Sequence, residues 1–114
     1  MADRPNPLKL NPLQAKTLAL LKELARQRSY ADPPDGEGCV LLRHLPEPHG
    51  DHFHVGSTVV LSRDATGLGN PAVYGALARK GLVRAGPRGM PHLTAAGLAY
   101  DTGLAARIVH RSDH

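Results

Sequence analysis

The chain has 114 residues, a hydrophobic content of 41% and a formal net charge of +4. This length and composition predict one globular domain with one modest core rather than a disordered chain. No apolar run approaches the length of a membrane span, and the first residues lack the apolar segment of a secretory signal. A single cysteine, Cys39, cannot form an internal disulfide and fits a reducing compartment. We therefore expect a cytoplasmic protein without membrane contacts.

The first predicted element is a helix that follows a flexible arm at residues 1–10. Asn11 can accept hydrogen bonds from orphan backbone N–H groups, Pro12 suits the first helical turn, and Gln14 can reach back to the cap. The leucines that follow form one broad apolar face, which predicts a helix ending near Arg28. We expect the whole fold within residues 11–110, with a frayed end at 111–114.

The middle of the chain predicts a β-hairpin. Residues 39–45 (CVLLRHL) have the length and content of a strand, and residues 52–55 (HFHV) alternate histidine with apolar residues. Paired with each other, they would form a hairpin inserted at 39–56. A short helix from Thr58 to Ala65 is expected next, although the β-branched residues at 58–60 also favour a continued strand.

A helix from Pro71 to Lys80 is the best-delimited element in the chain. Asn70 serves as the N-cap and Pro71 occupies the first helical position. Gly81 closes the C-terminal end, where Leu82 can pack against Leu77.

The remaining elements are a second hairpin and a final helix. Residues 82–84 and 92–93 flank a Pro/Gly-rich turn at 85–91 and predict two short strands. Thr94 caps the helix, in which apolar residues recur every four positions and two glycines lower the stability. The recurring residues are Ala96, Tyr100, Leu104 and Ile108, and the glycines are Gly97 and Gly103.

This order of elements resembles the winged helix-turn-helix transcription regulators. The resemblance rests on the helix from Asn11 to Arg28, on ALARKGLV at 76–83 and on HLTAAGLAY at 92–100. It implies an α+β fold with a three-helix core, a β-wing and an additional β-hairpin between the first and second helices. It also implies a recognition helix from Pro71 to Lys80, and a homodimer formed through the C-terminal helix.

Basic residues cluster in the half of the chain that carries this resemblance. Residues 57–93 hold five basic residues and one acidic residue, which is typical of a phosphate-binding surface. The predicted partner is therefore double-stranded DNA. Ala72, Gly75 and Ala78 cannot read base edges, so mainly phosphate-backbone contacts are expected. The candidate DNA-binding residues are Arg63, Asn70, Tyr74, Arg79, Lys80, Arg84 and Arg88.

A second group of candidate residues could hold a metal ion. His49, Asp51, His52 and His54 lie within six residues, and imidazole and carboxylate groups suit zinc. His52 and His54 are expected on one strand face. The same pattern also fits an exposed histidine cluster that binds no metal, so zinc is a candidate ion and no other cofactor is predicted.

Three functions remain open at this point. The leading one is a small winged-helix DNA-binding protein that regulates transcription. The second is a winged-helix protein-interaction module that does not bind DNA, which the poor base-reading chemistry favours. The third is a metal-responsive regulator that uses the histidine-rich hairpin. An enzyme is not predicted, because the sequence does not identify a nucleophile and base pair.

Overall fold

A computed structural model describes residues 7–46, 50–55, 58–86, 90–101 and 109–111. Over these residues the chain forms a small α+β domain with three α-helices and two small antiparallel sheets. The helices are α1 (Pro12–Ala25), α2 (Pro71–Arg79) and α3 (Ala95–Ala99). Two single turns of 3-10 helix, Ser62–Asp64 and Thr66–Gly69, lie just before α2. None of the described helices has the length and apolar character needed to cross a bilayer.

Each sheet has three strands, and each is completed by strands that are distant in sequence. The first sheet has the order β1-β5-β4, and the second has the order β2-β3-β6. The first is built from β1 (Val40–Leu41), β4 (Val83–Ala85) and β5 (Pro91–Leu93). The second is built from β2 (His52–Val55), β3 (Thr58–Leu61) and β6 (Val109–Arg111).

Helix α1 begins where the sequence predicts it, with a complete capping box. The Asn11 side chain accepts from the Gln14 backbone N–H at 2.8 Å, and Gln14 Oε1 accepts from the Asn11 N–H at 3.2 Å. Two orphan donors of the first turn are thereby satisfied. The helix ends at Ala25, three residues before the predicted position. Its leucines Leu20, Leu21 and Leu24 are fully buried and supply much of the core.

Helix α2 also has the predicted caps at both ends. Asn70 accepts from the Ala72 N–H at 3.0 Å, and Gly81 takes a left-handed φ of +77°. The Leu82 N–H donates to the Leu77 carbonyl at 3.0 Å, which closes the helix by the expected glycine motif. Leu77 and Leu82 are at most 1% exposed. The core therefore lies where α1 and α2 meet the first sheet.

The predicted inserted hairpin is wrong in its pairing. Residues 40–41 form β1 and pair with β5, with Val40 opposite Leu93, while β2 pairs with β3. The helix predicted from Thr58 to Ala65 is therefore wrong as well, because its first four residues form β3. The β-branched side chains at 58–60 favour extended backbone, and β3 is hydrogen-bonded on both sides by β2 and β6.

The C-terminal part of the chain also differs from the prediction. Helix α3 ends at Ala99, and Tyr100 is extended because its groups are held by other elements. Its hydroxyl accepts from the Leu8 N–H at 3.1 Å, and its carbonyl accepts from Lys22 Nζ at 2.7 Å. Leu104 and Ile108 lie outside the described residues. Arg111, predicted to be frayed, lies in β6 opposite Thr58.

The N-terminal arm, predicted to be flexible over residues 1–10, is held in place at its end. The Leu8 carbonyl accepts from Lys80 Nζ at 2.8 Å, and its N–H donates to Tyr100. Leu10 is 6% exposed and belongs to the core. Within residues 7–10, apolar burial of Leu10 and two hydrogen bonds of Leu8 therefore hold this segment against the rest of the domain. Residues 1–6 lie outside the described part of the chain.

Candidate nucleic-acid interface and metal-ligating clusters

A groove of about 410 Å³ runs between α2 and the β4–β5 hairpin. The side chains that line it are mostly small and apolar. They include Pro71, Gly75, Ala78, Val83 and Met90. The exposed face of α2 therefore offers surface for packing and little that could hydrogen-bond a base edge.

Two arginines border this groove from different elements. Arg79 is exposed on α2, and its Nη1 lies 3.5 Å from the point where a Cβ on Gly75 would stand. Its guanidinium therefore lies against the helix surface at Gly75, a residue that lines the groove. Arg84 is exposed on β4, lines the groove, and donates from Nη2 to Cys39 Sγ at 3.2 Å. Arg84 therefore lines the groove from the strand side, and Arg79 lies beside a lining residue on the helix side.

Three other predicted DNA-binding residues are engaged inside the fold. The Tyr74 hydroxyl donates to the Leu68 carbonyl at 2.7 Å, the Asn70 side chain caps α2, and Lys80 Nζ donates to Leu8. Each prediction assumed an exposed polar group on the helix surface. The structure uses these groups for capping and tertiary contacts, so they are poorly placed for reading DNA.

The remaining two candidates do not join the groove. Arg63 is exposed in the first 3-10 turn and does not line the groove. Its neighbour Asp64 forms an ion pair with Lys16 at 3.1 Å. Arg88 lies outside the described residues. Of the seven candidates, Tyr74 and Arg84 line the groove, and Arg79 lies against Gly75, another residue of its lining.

Burial raises the pKa of Tyr74 to about 12 from an ordinary value of 10.0. As pH rises, the Tyr74 phenol ionises in the unfolded chain before it ionises in the folded protein. The stability that the folded protein gains from a neutral Tyr74 is therefore fully present below about pH 10 and is lost towards about pH 12. We expect the stability of the parent to fall relative to Tyr74→Phe across this range, in urea denaturation followed at several pH values. The difference in tyrosinate absorbance between the two proteins should show a midpoint near pH 12. A midpoint near pH 10 would contradict the burial of this side chain.

The histidine cluster on β2 has the geometry predicted for one strand face. His52 Nε2 and His54 Nε2 lie 3.1 Å apart, and His52 Nδ1 lies 3.2 Å from Asp51 Oδ1. The hydrogen bond with His52 lowers the pKa of Asp51. A carboxylate on one ring nitrogen orients the other nitrogen for a metal ion. His49, the fourth predicted ligand, lies outside the described residues, and zinc at this cluster remains a prediction.

A second cluster was missed by the sequence analysis. One ligand atom each from Asp35, Cys39 and His92 lies within 4.8 Å of the others. Asp35 lies in the loop before β1, Cys39 directly precedes β1, and His92 lies in β5. Strand pairing places Leu41 opposite His92 and so brings these distant residues together. The local signal was the acidic residue four positions before Cys39, but its partner strand could not be read from the sequence.

Hydrogen bonds fix the Asp35 side chain in this cluster. Its Oδ1 accepts from the Cys39 N–H at 3.0 Å and from the Glu37 N–H at 2.9 Å. These two bonds, that to Cys39 first, lower the pKa of Asp35. Its other oxygen, Oδ2, lies 3.5 Å from His92 Nε2. The carboxylate is therefore anchored by one oxygen and presents the second to the histidine.

Comparison with known proteins finds no matching family model, curated protein or solved structure. The features of the domain that bear on its function are its topology, the groove beside α2 and the two ligand clusters.

Proposed function

We propose that the chain is a winged-helix domain that binds duplex DNA, mainly through phosphate contacts, and regulates transcription. The element order supports this proposal. The β4–β5 hairpin follows α2 directly, in the position of a wing, and α2 takes the position of the recognition helix. The two 3-10 turns at 62–69 take the position of the second helix. The β2–β3 hairpin is then an insertion between the first strand and that second element.

Two exposed arginines carry the DNA-binding proposal: Arg84, which lines the groove, and Arg79, which lies against Gly75 of its lining. In this family, the helix and the wing approach the same duplex. Arg79 extends from α2 and Arg84 from β4, so both can contact phosphates when the helix lies against the DNA. Because Ala72 and Ala78 are exposed and cannot read bases, most of the affinity should come from charge.

We expect the purified chain to bind a fluorescent duplex with an affinity that falls steeply with salt, because each neutralised phosphate releases condensed counterions. The Arg79→Ala/Arg84→Ala double variant should bind more weakly to every duplex tested. If each arginine contacts one phosphate, the slope of log K against log salt should become shallower by about 2, at about 0.9 per contact. Fluorescence anisotropy over a series of salt concentrations measures both quantities.

The matched control removes the same charge from another surface. Arg26 and Arg28 are exposed at the C-terminal end of α1 and do not line the groove. Arg26→Ala/Arg28→Ala should leave the slope closer to that of the parent than the groove variant does. Equal losses of DNA affinity in the two double variants would mean that binding depends on the net charge of the protein and not on a defined interface. No binding at low salt would overturn the DNA-binding proposal.

A second candidate function is protein binding at the same groove. The apolar lining of the 410 Å³ groove favours it, because phosphate contacts do not require apolar surface. The suitable ligand is a peptide that places an apolar side chain against Gly75 and Ala78 and carboxylates beside Arg79 and Arg84. Protein binding replaces DNA binding as the proposed function if the chain binds no DNA but binds an acidic peptide with apolar side chains, and if Arg84→Ala weakens that peptide binding.

A further inference from the structure

The face of the first sheet that carries His92 gathers three side chains of the kinds that ligate metal ions, Asp35, Cys39 and His92. In the strand register, both Leu41 and Arg84 lie opposite His92. Cys39 lies two residues before Leu41, and alternate residues of an extended segment point to the same side. Asp35 then approaches from the preceding loop. Three elements thus contribute one side chain each to a single point on the sheet.

We propose that Asp35, Cys39 and His92 form a three-ligand Zn²⁺ site. Thiolate, imidazole and carboxylate are the zinc ligands that proteins use, with bond lengths of about 2.0 to 2.3 Å. In a tetrahedral complex such bonds separate neighbouring ligand atoms by about 3.3 to 3.8 Å. His92 Nε2 and Asp35 Oδ2 are 3.5 Å apart, and all three ligand atoms lie within 4.8 Å of one another. The group needs only a small adjustment to surround one ion.

The surroundings of the group hold its ligands in place before metal arrives. Asp35 Oδ1 is bound by two backbone N–H groups, which orients the carboxylate. Cys39 is 5% exposed, so its sulfur is shielded from solvent. Arg84 Nη2 donates to that sulfur at 3.2 Å, which further fixes its position. Thiolate and carboxylate together balance the two charges of the ion.

A zinc ion at this position would tie the loop before β1 to β5. The first sheet would then be cross-linked by a metal as well as by its ladder of hydrogen bonds. This site lies away from β2, so it is distinct from the His52 and His54 cluster. Its three ligands are also distinct from the proposed phosphate contacts, although one of those contacts, Arg84, donates to Cys39 Sγ.

Cobalt titration of the reduced, full-length chain tests the proposal, because Co²⁺ reports a thiolate ligand by a charge-transfer band in the near ultraviolet. We expect one equivalent of Co²⁺ to bind, with that band, and to be displaced by Zn²⁺. Cys39→Ser should remove the band and weaken binding at least about 100-fold. Asp35→Asn, on an exposed residue, keeps an acceptor for the two N–H groups while losing the anionic ligand, and should weaken binding at least about 10-fold.

His52→Ala/His54→Ala is the matched control, because it removes two imidazoles from the other cluster. It should keep the band, the stoichiometry and the affinity of the parent. The proposal would be overturned if the parent failed to bind one equivalent of Co²⁺, or bound it without the thiolate charge-transfer band. Unchanged binding in Asp35→Asn would overturn it as well, and that result stands even if Cys39→Ser fails to fold. Loss of binding in the control alone would place the metal on β2 and also overturn the proposal.

Discussion

Gly97→Ala should destabilise the domain, although alanine usually stabilises a helix relative to glycine by about 1 kcal/mol. A Cβ at this position would overlap the carbonyl oxygen of Leu82 and stand 3.3 Å from Leu93 Cδ2. Neither neighbour can move freely, because both leucines are buried and the Leu82 carbonyl accepts from the Thr94 N–H at 3.2 Å. Overpacking of this kind costs about 1 to 3 kcal/mol or more. Urea denaturation of the two proteins measures the difference.

Gly75→Ala is the matched control for this substitution. Its Cβ would stand 3.5 Å from Arg79 Nη1, which is an ordinary contact with a flexible side chain. We therefore expect a gain of about 0.5 to 1 kcal/mol from reduced backbone entropy in the unfolded chain. If Gly97→Ala lowers the free energy of unfolding and Gly75→Ala raises it, the close approach of α3 to the segment at Leu82 is the cause of the difference. A Gly97→Ala protein as stable as the parent would contradict that approach.

Leu77→Ala should lower the free energy of unfolding by about 2 to 5 kcal/mol, the usual cost of truncating a buried leucine. Leu77 is 0% exposed and lies in the core cluster on the inner face of α2. Truncation would leave a cavity close to the turn that ends the helix. The loss should appear as a lower midpoint of urea denaturation with little change in slope.

Arg79→Ala on the same helix should change stability by no more than about 0.5 kcal/mol, because its side chain is exposed. Lys80→Ala would be a poorer control, since Lys80 Nζ holds the Leu8 carbonyl at 2.8 Å. If Leu77→Ala and Arg79→Ala unfold at the same urea concentration, the facing assigned to α2 is wrong.

The parts of the fold that sequence predicts correctly are those determined by neighbouring residues. Asn11 and Gln14 form the capping box, and Asn70 and Gly81 delimit α2, because each contact spans only a few positions. The pairing of β4 with β5, next to which the Gly86 N–H donates to the Met90 carbonyl at 2.8 Å, has the same local origin. Alternation along β2 likewise placed His52 and His54 on one face.

The parts that sequence does not predict depend on pairing between distant segments. Two apolar stretches close in sequence were expected to pair, yet β1 pairs with β5 and β3 with β6. Nothing local distinguishes these partners, since strand register is settled by burial across the whole domain. The cluster at Asp35, Cys39 and His92 was missed for the same reason. Tyr74 and Lys80 looked like exposed helix residues because their acceptors, on Leu68 and Leu8, lie outside α2.

The late completion of both sheets has a kinetic consequence. Val40 finds its partner only when Leu93 is present, and β3 finds its second neighbour only at residues 109–111. The entropy lost in closing such long loops must be given up before the stabilising contacts form. Folding is therefore slower than in a domain built from local contacts. During synthesis, the edge of β1 that pairs with β5 stays open until residues 92–93 emerge, and the second edge of β3 stays open until residues 109–111 emerge. Strands β1 and β3 are therefore the segments most exposed to misassembly while the rest of the domain is being made.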